Sequence, residues 1–451
     1  MSLVFKGFKD ILLVLIVTFP FLGSGDVHSM EIQRVVSSGG IEAWLVEDHS
    51  LPIVSIRFSF PGGSVNDPTD KSGLANMSTK LLGEGAGEFN SQKFHRRLED
   101  LSVSLNFEAY KDIILGSMKT LTRNRDEAFD LLKLALLKPR FDDDSIQLIR
   151  AQIRSRIARN KNNPNNIAQR TYWSMMFPEH PYRFESSGTF KSIAKISKYD
   201  LKSFVRSNLV KTGLIIGVAG DITADELALS LDKTFGGLPR YFEKNEIENI
   251  SPRTLGKVVV VKNNLPQSSI VFGQNGLARN HPDYYAAYLL NHILGGGGFT
   301  SRLYKEIREK RGLVYSVYSY LLPLDYSSLW LGAAATDNKS VKDTIKIIKS
   351  EWSRMQDYQI TQEQLQSARD NIKGSFSLRF NNTASIAGML LEIQRKGLGI
   401  NYIQNRENIY DMITINDINR VAKKWLDPKS LTFVIVGNPS NIISSEVISG
   451  K

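Results

Sequence analysis

"ISKYDLKSFVRSNLVKTGLIIGVAGDI" (196–222) and "ITINDINRVAKKWLDPKSLTFVIVGNP" (413–439) align without a gap. The offset is constant at 217 residues (417 − 200 and 437 − 220). It places Asp200, Leu209, Leu214 and Gly220 on Asp417, Leu426, Leu431 and Gly437. Each stretch reads as a helix led by an aspartate, then a turn, then a β-rich run closed by glycine. A match of this length, once in each half of the chain, signals a duplicated fold.

The halves also begin alike. "LPIVSIRFSF" (51–60) and "LPQSSIVFGQ" (265–274) open with Leu-Pro and continue as alternating strands. Helical patterns fill the interval in both halves, as at Asp126–Leu137 and Val341–Met355. The polar stretch "RYFEKNEIENISPRT" (240–254) has few apolar anchors and one proline, and reads as the linker. The sequence thus predicts an α+β protein of two homologous domains, 30–239 and 257–451, joined by a linker over 240–256. Each is expected to be a mostly antiparallel sheet packed with helices, the two facing each other across a cavity.

The chain has 451 residues, 42% of them apolar and 23% charged, as in ordinary globular proteins. Its start is different. Lys6 and Lys9 precede the apolar run "ILLVLIVTFPFL" (11–22), which ends in "GSG". That run is too short to span a bilayer as a mature helix and predicts a signal peptide over 1–29, cleaved between Gly23 and Ser29. A buried N-terminal helix or an uncleaved anchor is the alternative. Cysteine is absent, which excludes disulfides, a lipoprotein anchor, thiolate metal sites and a cysteine nucleophile. Export without disulfides suits a bacterial periplasm. The net charge of +11 is spread out, and the densest basic segment, "RSRIARNKNN" (154–163), lacks the aromatics of a nucleic-acid platform. It reads as a general bias towards anionic surfaces or peptides.

"GGGGFTSRLYKEIREKRGLVYSVYS" (295–319) looks at first like a phosphate loop. A P-loop needs Lys-Ser/Thr after its last glycine, whereas Phe299-Thr300-Ser301 follow here and the first lysine is Lys305. Four adjacent glycines do not supply a dinucleotide fingerprint either. Lacking β-carbons, Gly295, Gly296, Gly297 and Gly298 let another chain approach, and their N–H and C=O groups can meet an extended peptide. Thr300 or Ser301 is placed to cap a helix with the apolar face Leu303, Tyr304 and Ile307, which Gly312 ends. "LVYSVYSYL" (313–321) then alternates as a strand, bringing Arg308 and Tyr315 together. On a plainer reading Arg308 serves the helix C-terminus with Lys305, Lys310 and Arg311, and Tyr315 is a core aromatic. No two of the six histidines stand at i, i+3 or i+4. His292, which the repeat sets opposite Lys80, reads as a packed helix residue. A serine–histidine triad is not excluded by spacing, but no G-x-S-x-G elbow occurs.

The duplicated halves, "PGGSVNDPTDKSGLANMSTKLLGEG" (61–85) and "SRLYKEIREKRGLVYSVYS" (301–319) resemble the pitrilysin/insulinase superfamily of zinc peptidases. That superfamily includes insulin-degrading enzyme and mitochondrial processing peptidase, and the resemblance, nearest to the short bacterial branch, spans essentially the whole mature chain. In active members, a His-x-x-Glu-His helix supplies two zinc ligands and the base that activates water. Aligned on "SGLA", the histidine positions hold Asn76 and Lys80, and Thr79 replaces the glutamate. The third ligand, a glutamate roughly seventy residues on, falls at Ala151 or Gln152, and no acidic residue occurs between Asp144 and Glu179. The resemblance therefore implies no metal and no cofactor bound by this chain. It also implies an arginine–tyrosine pair, here Arg308 and Tyr315, that stabilises the oxyanion, with Tyr304 lining the cleft and the glycine run and Phe299 contacting substrate. The expectation is the metal-free subunit of a heterodimeric zinc metallopeptidase that degrades peptides, inactive alone and paired with a homologous zinc-binding subunit. The alternative is a catalytically dead scaffold or peptide-binding protein.

Overall fold

Along the strand Ile53–Pro61, Val54, Ile56, Phe58 and Phe60 alternate with Ser55, Arg57 and Ser59, and the apolar set is fully buried. Alternation normally leaves the polar face wet. Here Ser55 and Ser59 are buried as well, because a helix from the other half of the chain covers them. The structure is a computed structural model and describes residues 31–242, 246–357 and 360–449.

The first half contains β1 (Gln33–Val36), β2 (Glu42–Glu47), β3 (Ile53–Pro61), the short ribbon β4 (Gly85–Ala86) and β5 (Phe89–Asn90), β6 (Ser104–Ala109), β7 (Ile113–Leu121) and β8 (Ile215–Gly220). The second contains β9 (Val258–Lys262), β10 (Gln267–Asn275), β11 (Val314–Pro323), β12 (Ser328–Asp337), β13 (Thr432–Gly437) and β14 (Glu446–Ser449). Two six-stranded sheets result, ordered β1-β2-β8-β3-β7-β6 and β14-β9-β13-β10-β12-β11. From β2 to β6 and from β9 to β11 the orders correspond strand for strand. Each set has one parallel pair, β2 with β8 and β9 with β13, among antiparallel neighbours. The halves differ at the outer edge, where β1 runs antiparallel to β2 and β14 parallel to β9.

The repeated segments form the helices Lys198–Asn208 and Ile415–Trp425 followed by β8 and β13. Their aspartates do not lead the helices. Ser197 and Thr414 are the N-caps, and Asp200 and Asp417 close capping boxes three residues later.

The halves exchange one helix each. Pro164–Met176, from the first half, packs on β10 and β13, placing Ala168, Tyr172 and Met176 against Val271, Leu331, Val434 and Val436. Thr383–Arg395, from the second, packs on β8 and β3, where Thr383 Oγ1 meets Ser55 Oγ at 2.8 Å and Gln394 Nε2 donates to the Ile216 carbonyl at 2.8 Å. Gly217 in β8 makes room for this crossing, since a Cβ there would collide with the Ala387 carbonyl. The turns β6–β7 and β11–β12 also touch. Asp112 accepts from the Asp325 amide at 3.1 Å and from the Tyr182 hydroxyl at 2.6 Å.

Residues 246–256 have no regular structure but are pinned: Ile247 and Ile250 pack on the shared core, and the Ile250 and Arg253 amides donate to Tyr326 and Met176. These two isoleucines are the few apolar anchors of the stretch. The signal-peptide expectation lies outside the described residues. Among the described residues, no helix is long and apolar enough to cross a membrane.

Gly217→Val should destabilise the chain by about 1–3 kcal/mol, the usual cost of overpacking. Gly298→Ala, where a Cβ meets nothing within 4 Å, should cost less than that despite its positive φ. Urea unfolding of both variants checks the contrast, and equal midpoints would mean that the helix crossing tolerates looser packing.

Candidate functional site

The glycine run builds a compact corner. His292–Gly296 is one turn of π-helix, Gly298–Thr300 a 3-10 turn and Tyr304–Glu309 a second π-helical turn. A Cβ on Gly295 would stand 2.8 Å from the Ser319 amide of β11, and one on Gly297 2.7 Å from the His292 carbonyl. The Gly297 amide already donates to that carbonyl at 2.8 Å. The chain that approaches Gly295 is thus β11 of the same protein, whereas Gly296 and Gly298 are exposed. Gly298, with φ of +58° and open space beside it, faces outwards with Phe299, which is 77% exposed. The capping expectation changes too. The Thr300 and Ser301 hydroxyls donate backwards to the Gly297 and Gly298 carbonyls at 2.9 and 2.7 Å. Leu303 and Ile307 are buried, Tyr304 is half-buried, and Gly312 ends the turn at φ of +61°.

Arg308 and Tyr315 come together beside a shallow cavity of about 400 Å³ lined by both. Arg308 Nε donates to the Tyr304 hydroxyl at 3.1 Å, and Nη1 donates to the Val314 carbonyl at 3.2 Å and to that of Tyr315. Its guanidinium lies 4.9 Å from the Tyr315 ring centroid and forms no ion pair among the described residues. Phe299 meets Tyr304 edge-on at 5.0 Å, which joins the exposed rim to the pair. Tyr315 is not a core aromatic, being 77% exposed. The cause is a β-bulge: Val314 faces Thr336 and Ser316 faces Ala335, so Tyr315 is left without a partner on β12. Alternation along "LVYSVYSYL" carries no mark of this extra residue.

Glu306 stands two residues before Arg308. Lys310 at 2.6 Å and Arg311 at 2.8 Å hold its carboxylate down to about 2. A depressed folded-state pKa stabilises above the unfolded value near 4.5 and is lost as pH falls towards 2. Glu306→Gln should lower the urea midpoint at pH 6, and the gap from the parent should close between pH 4.5 and 2. A gap independent of pH would mean that the ion pairs contribute nothing.

The helix that should carry zinc is Leu74–Leu81. Asn76 Oδ1 accepts from Arg156 Nη2 at 3.1 Å, Asn76 Nδ2 is buried without a partner, and Thr79 is buried with its hydroxyl donating to the Asn76 carbonyl at 3.2 Å. Ala151 and Gln152 are exposed, so the place expected for a third ligand is corrected to Arg156, which reaches Asn76 from the helix Asp143–Lys161. A cavity of about 410 Å³ beside Asn76 is lined by Lys111, Arg156, Arg170 and Arg183, with Glu185 as its one carboxylate. Lys111 lies 4.3 Å from the Trp173 ring centroid, and burial pulls its ammonium down to about 8. An amide, a hydroxyl and several cations do not fit zinc. Among the described residues, no three His, Cys, Asp or Glu gather in a group able to hold a metal. His292 is half-buried, its Nε2 unpartnered and its basicity lowered by burial.

Comparison with known proteins matches these features. The insulinase profile (peptidase family M16) covers residues 43–188, and that of the peptidase M16 inactive domain covers residues 195–372. The chain belongs to peptidase family M16. It is 27% identical over 403 residues to the Helicobacter pylori protein named non-peptidase homolog YmxG, covering 87% of this chain and 90% of that one. It is 22% identical to the mitochondrial-processing peptidase subunit beta of Saccharomyces cerevisiae, over 86% of this chain and 87% of that one. A crystal structure of a peptidase M16 inactive domain from Pseudomonas fluorescens superposes with a TM-score of 0.84 at 26% identity, covering 93% of this chain and all of that one. This M16 member carries none of the family's zinc-binding side chains at the positions matched above.

Installing the motif alone should not restore the metal. Asn76→His/Thr79→Glu/Lys80→His still leaves the Arg156 guanidinium against position 76. Adding Arg156→Ala should tighten zinc binding on the order of tenfold, the scale of an outer-shell effect. Competitive zinc titration of both variants decides, and equal affinities would mean that Arg156 does not oppose the metal.

Proposed function

We propose that this chain is the metal-free subunit of a two-chain peptidase. Arg308 and Tyr315 donate hydrogen bonds to the carbonyl oxygen of a bound peptide and to the oxyanion it becomes. The observation that carries this reading is the contact between Arg308 and Tyr315 on the bulged, open edge of β11, with the Tyr315 phenol facing out. Guanidinium and phenol suit growing negative charge because both donate and neither must lose a proton. Phe299, Gly298 and Tyr304 form the rim along which substrate lies, and the rest of the glycine run holds that rim in place. A homologous partner subunit holds zinc in its His-x-x-Glu-His helix, and the metal supplies the activated water. Export by residues 1–29 would place the pair in the periplasm.

A second reading is a scaffold or peptide-binding member with no part in hydrolysis. It is favoured by the bonds that Arg308 Nη1 makes to its own backbone, at Val314 and Tyr315, which give the arginine a structural use.

The two readings part at one phenol. In the complex of this chain with a zinc-bearing partner, Tyr315→Phe should lower kcat for peptide hydrolysis on the order of 10²–10³, the cost of one oxyanion donor, with assembly intact. Arg308→Ala should do the same but will also loosen the bulge. Full-rate hydrolysis by both variants supports the scaffold reading, and zinc-dependent turnover by the isolated chain sinks both.

A further inference from the structure

Away from the Arg308 wall, a cavity of about 830 Å³ lies where the exchanged helix Thr383–Arg395 crosses the first sheet. Six cations line it: Arg57 of β3, Arg279, Arg379, Arg395, Lys396 and Arg406, with Glu392 as the only carboxylate among the described residues. Two of the six are compensated. Arg395 pairs with Asp325 and Glu392, both at 3.3 Å, and Lys396 with Asp325 at 3.7 Å. The other four form no ion pair among the described residues.

Arg406 is the decisive one. It is only 7% exposed, its Nη2 donates to the Ile372 carbonyl at 3.2 Å, and its Nη1 has no partner. Its guanidinium is held over Phe376 at 4.0 Å and Tyr410 at 4.8 Å. Arg57 repeats the pattern under the helix, its side chain against Gly388 and its Nε buried and unpartnered. Arg279 lies over Tyr284 at 4.3 Å with one hydrogen bond, to the Tyr285 hydroxyl at 2.9 Å. Desolvating a guanidinium without a counter-charge is costly, and a fold keeps several around one cavity where something else brings the negative charge. The volume is that of a small-molecule pocket, with aromatic walls to hold a body and convergent charge to fix its head.

We propose that this cavity binds a small multivalent oxyanion, a phosphate or a carboxylate compound. Arg57 belongs to the first half of the chain and the other five cations to the second, so a bound anion ties the exchanged helix to the sheet it covers. The site is independent of the role given to Arg308.

The test uses the full chain with pyrophosphate and citrate as probes, by calorimetry and thermal unfolding at fixed ionic strength, with sodium chloride as the control. Saturable binding of either probe with a rise in Tm is expected, and which probe wins separates phosphate from carboxylate chemistry. Arg379→Gln, on the exposed rim, and Arg57→Gln should each weaken binding about tenfold, the worth of one charge-assisted hydrogen bond. Arg379 keeps the test open should Arg57→Gln fail to fold. Binding of neither probe beyond the salt control, or binding that both variants leave unchanged, overturns the proposal.

Discussion

The structure depends on a reciprocal burial. Each half builds a sheet whose outward face a helix of the other half must cover. Pro164–Met176 lies on β10 and β13, and Thr383–Arg395 on β8 and β3. The two contacts differ chemically. The first is apolar, tyrosine and methionine on valine and leucine, and resembles a domain core. The second also buries apolar residues of the helix, Ile386, Leu390 and Leu391, but adds Thr383 on Ser55, Gln394 on the Ile216 carbonyl and the helix backbone close to Gly217, and draws specificity from hydrogen bonds and close approach. Neither half can dry its central strands alone, which explains why residues 32–451 behave as one compact unit despite the duplication.

That arrangement decides where chemistry can sit. The central strands are covered on both faces, as the unbroken burial of β13 and most of β10 shows. The strands left open are the edges, and β11 is the edge strand that carries Tyr315. An edge strand has spare backbone groups and tolerates a bulge without breaking a ladder on its other side. Arg308 answers the Val314 and Tyr315 carbonyls that the bulge displaces. The same edge in the first half is β6, and the helix Leu74–Leu81 lies against it.

The duplication, the sheet and helix content and the loss of the zinc residues were legible in the sequence, because offset, alternation and residue type are local properties. Arg125–Leu137 and Val341–Asp357 stand within two residues of the helices that periodicity indicates. The helix exchange was not legible. Nothing in Ser55-Ile56-Arg57 tells that its polar side will be covered, and the residues that cover it lie more than 300 positions away. Arg156 is hidden for a similar reason: spacing along the helix Asp143–Lys161 gives the expected ligand place only to within a turn, and tertiary packing selects the residue. The bulge at Tyr315 turns on one unpaired residue, which no periodicity encodes.

The two uses of Arg308 need not compete. A guanidinium held at the Tyr304 hydroxyl and at two backbone carbonyls has lost its freedom before any ligand arrives. Preorganisation of that kind is what an oxyanion donor requires, since reorienting a free side chain during reaction would consume the stabilisation it provides. The bonds that make Arg308 structural also hold its guanidinium 4.9 Å from the Tyr315 ring. Arginine–aromatic contacts persist at exposed sites, and this one supports a ring that stays in solvent. The exposure of Tyr315, rather than the mere presence of the pair, is what favours a binding role for this edge.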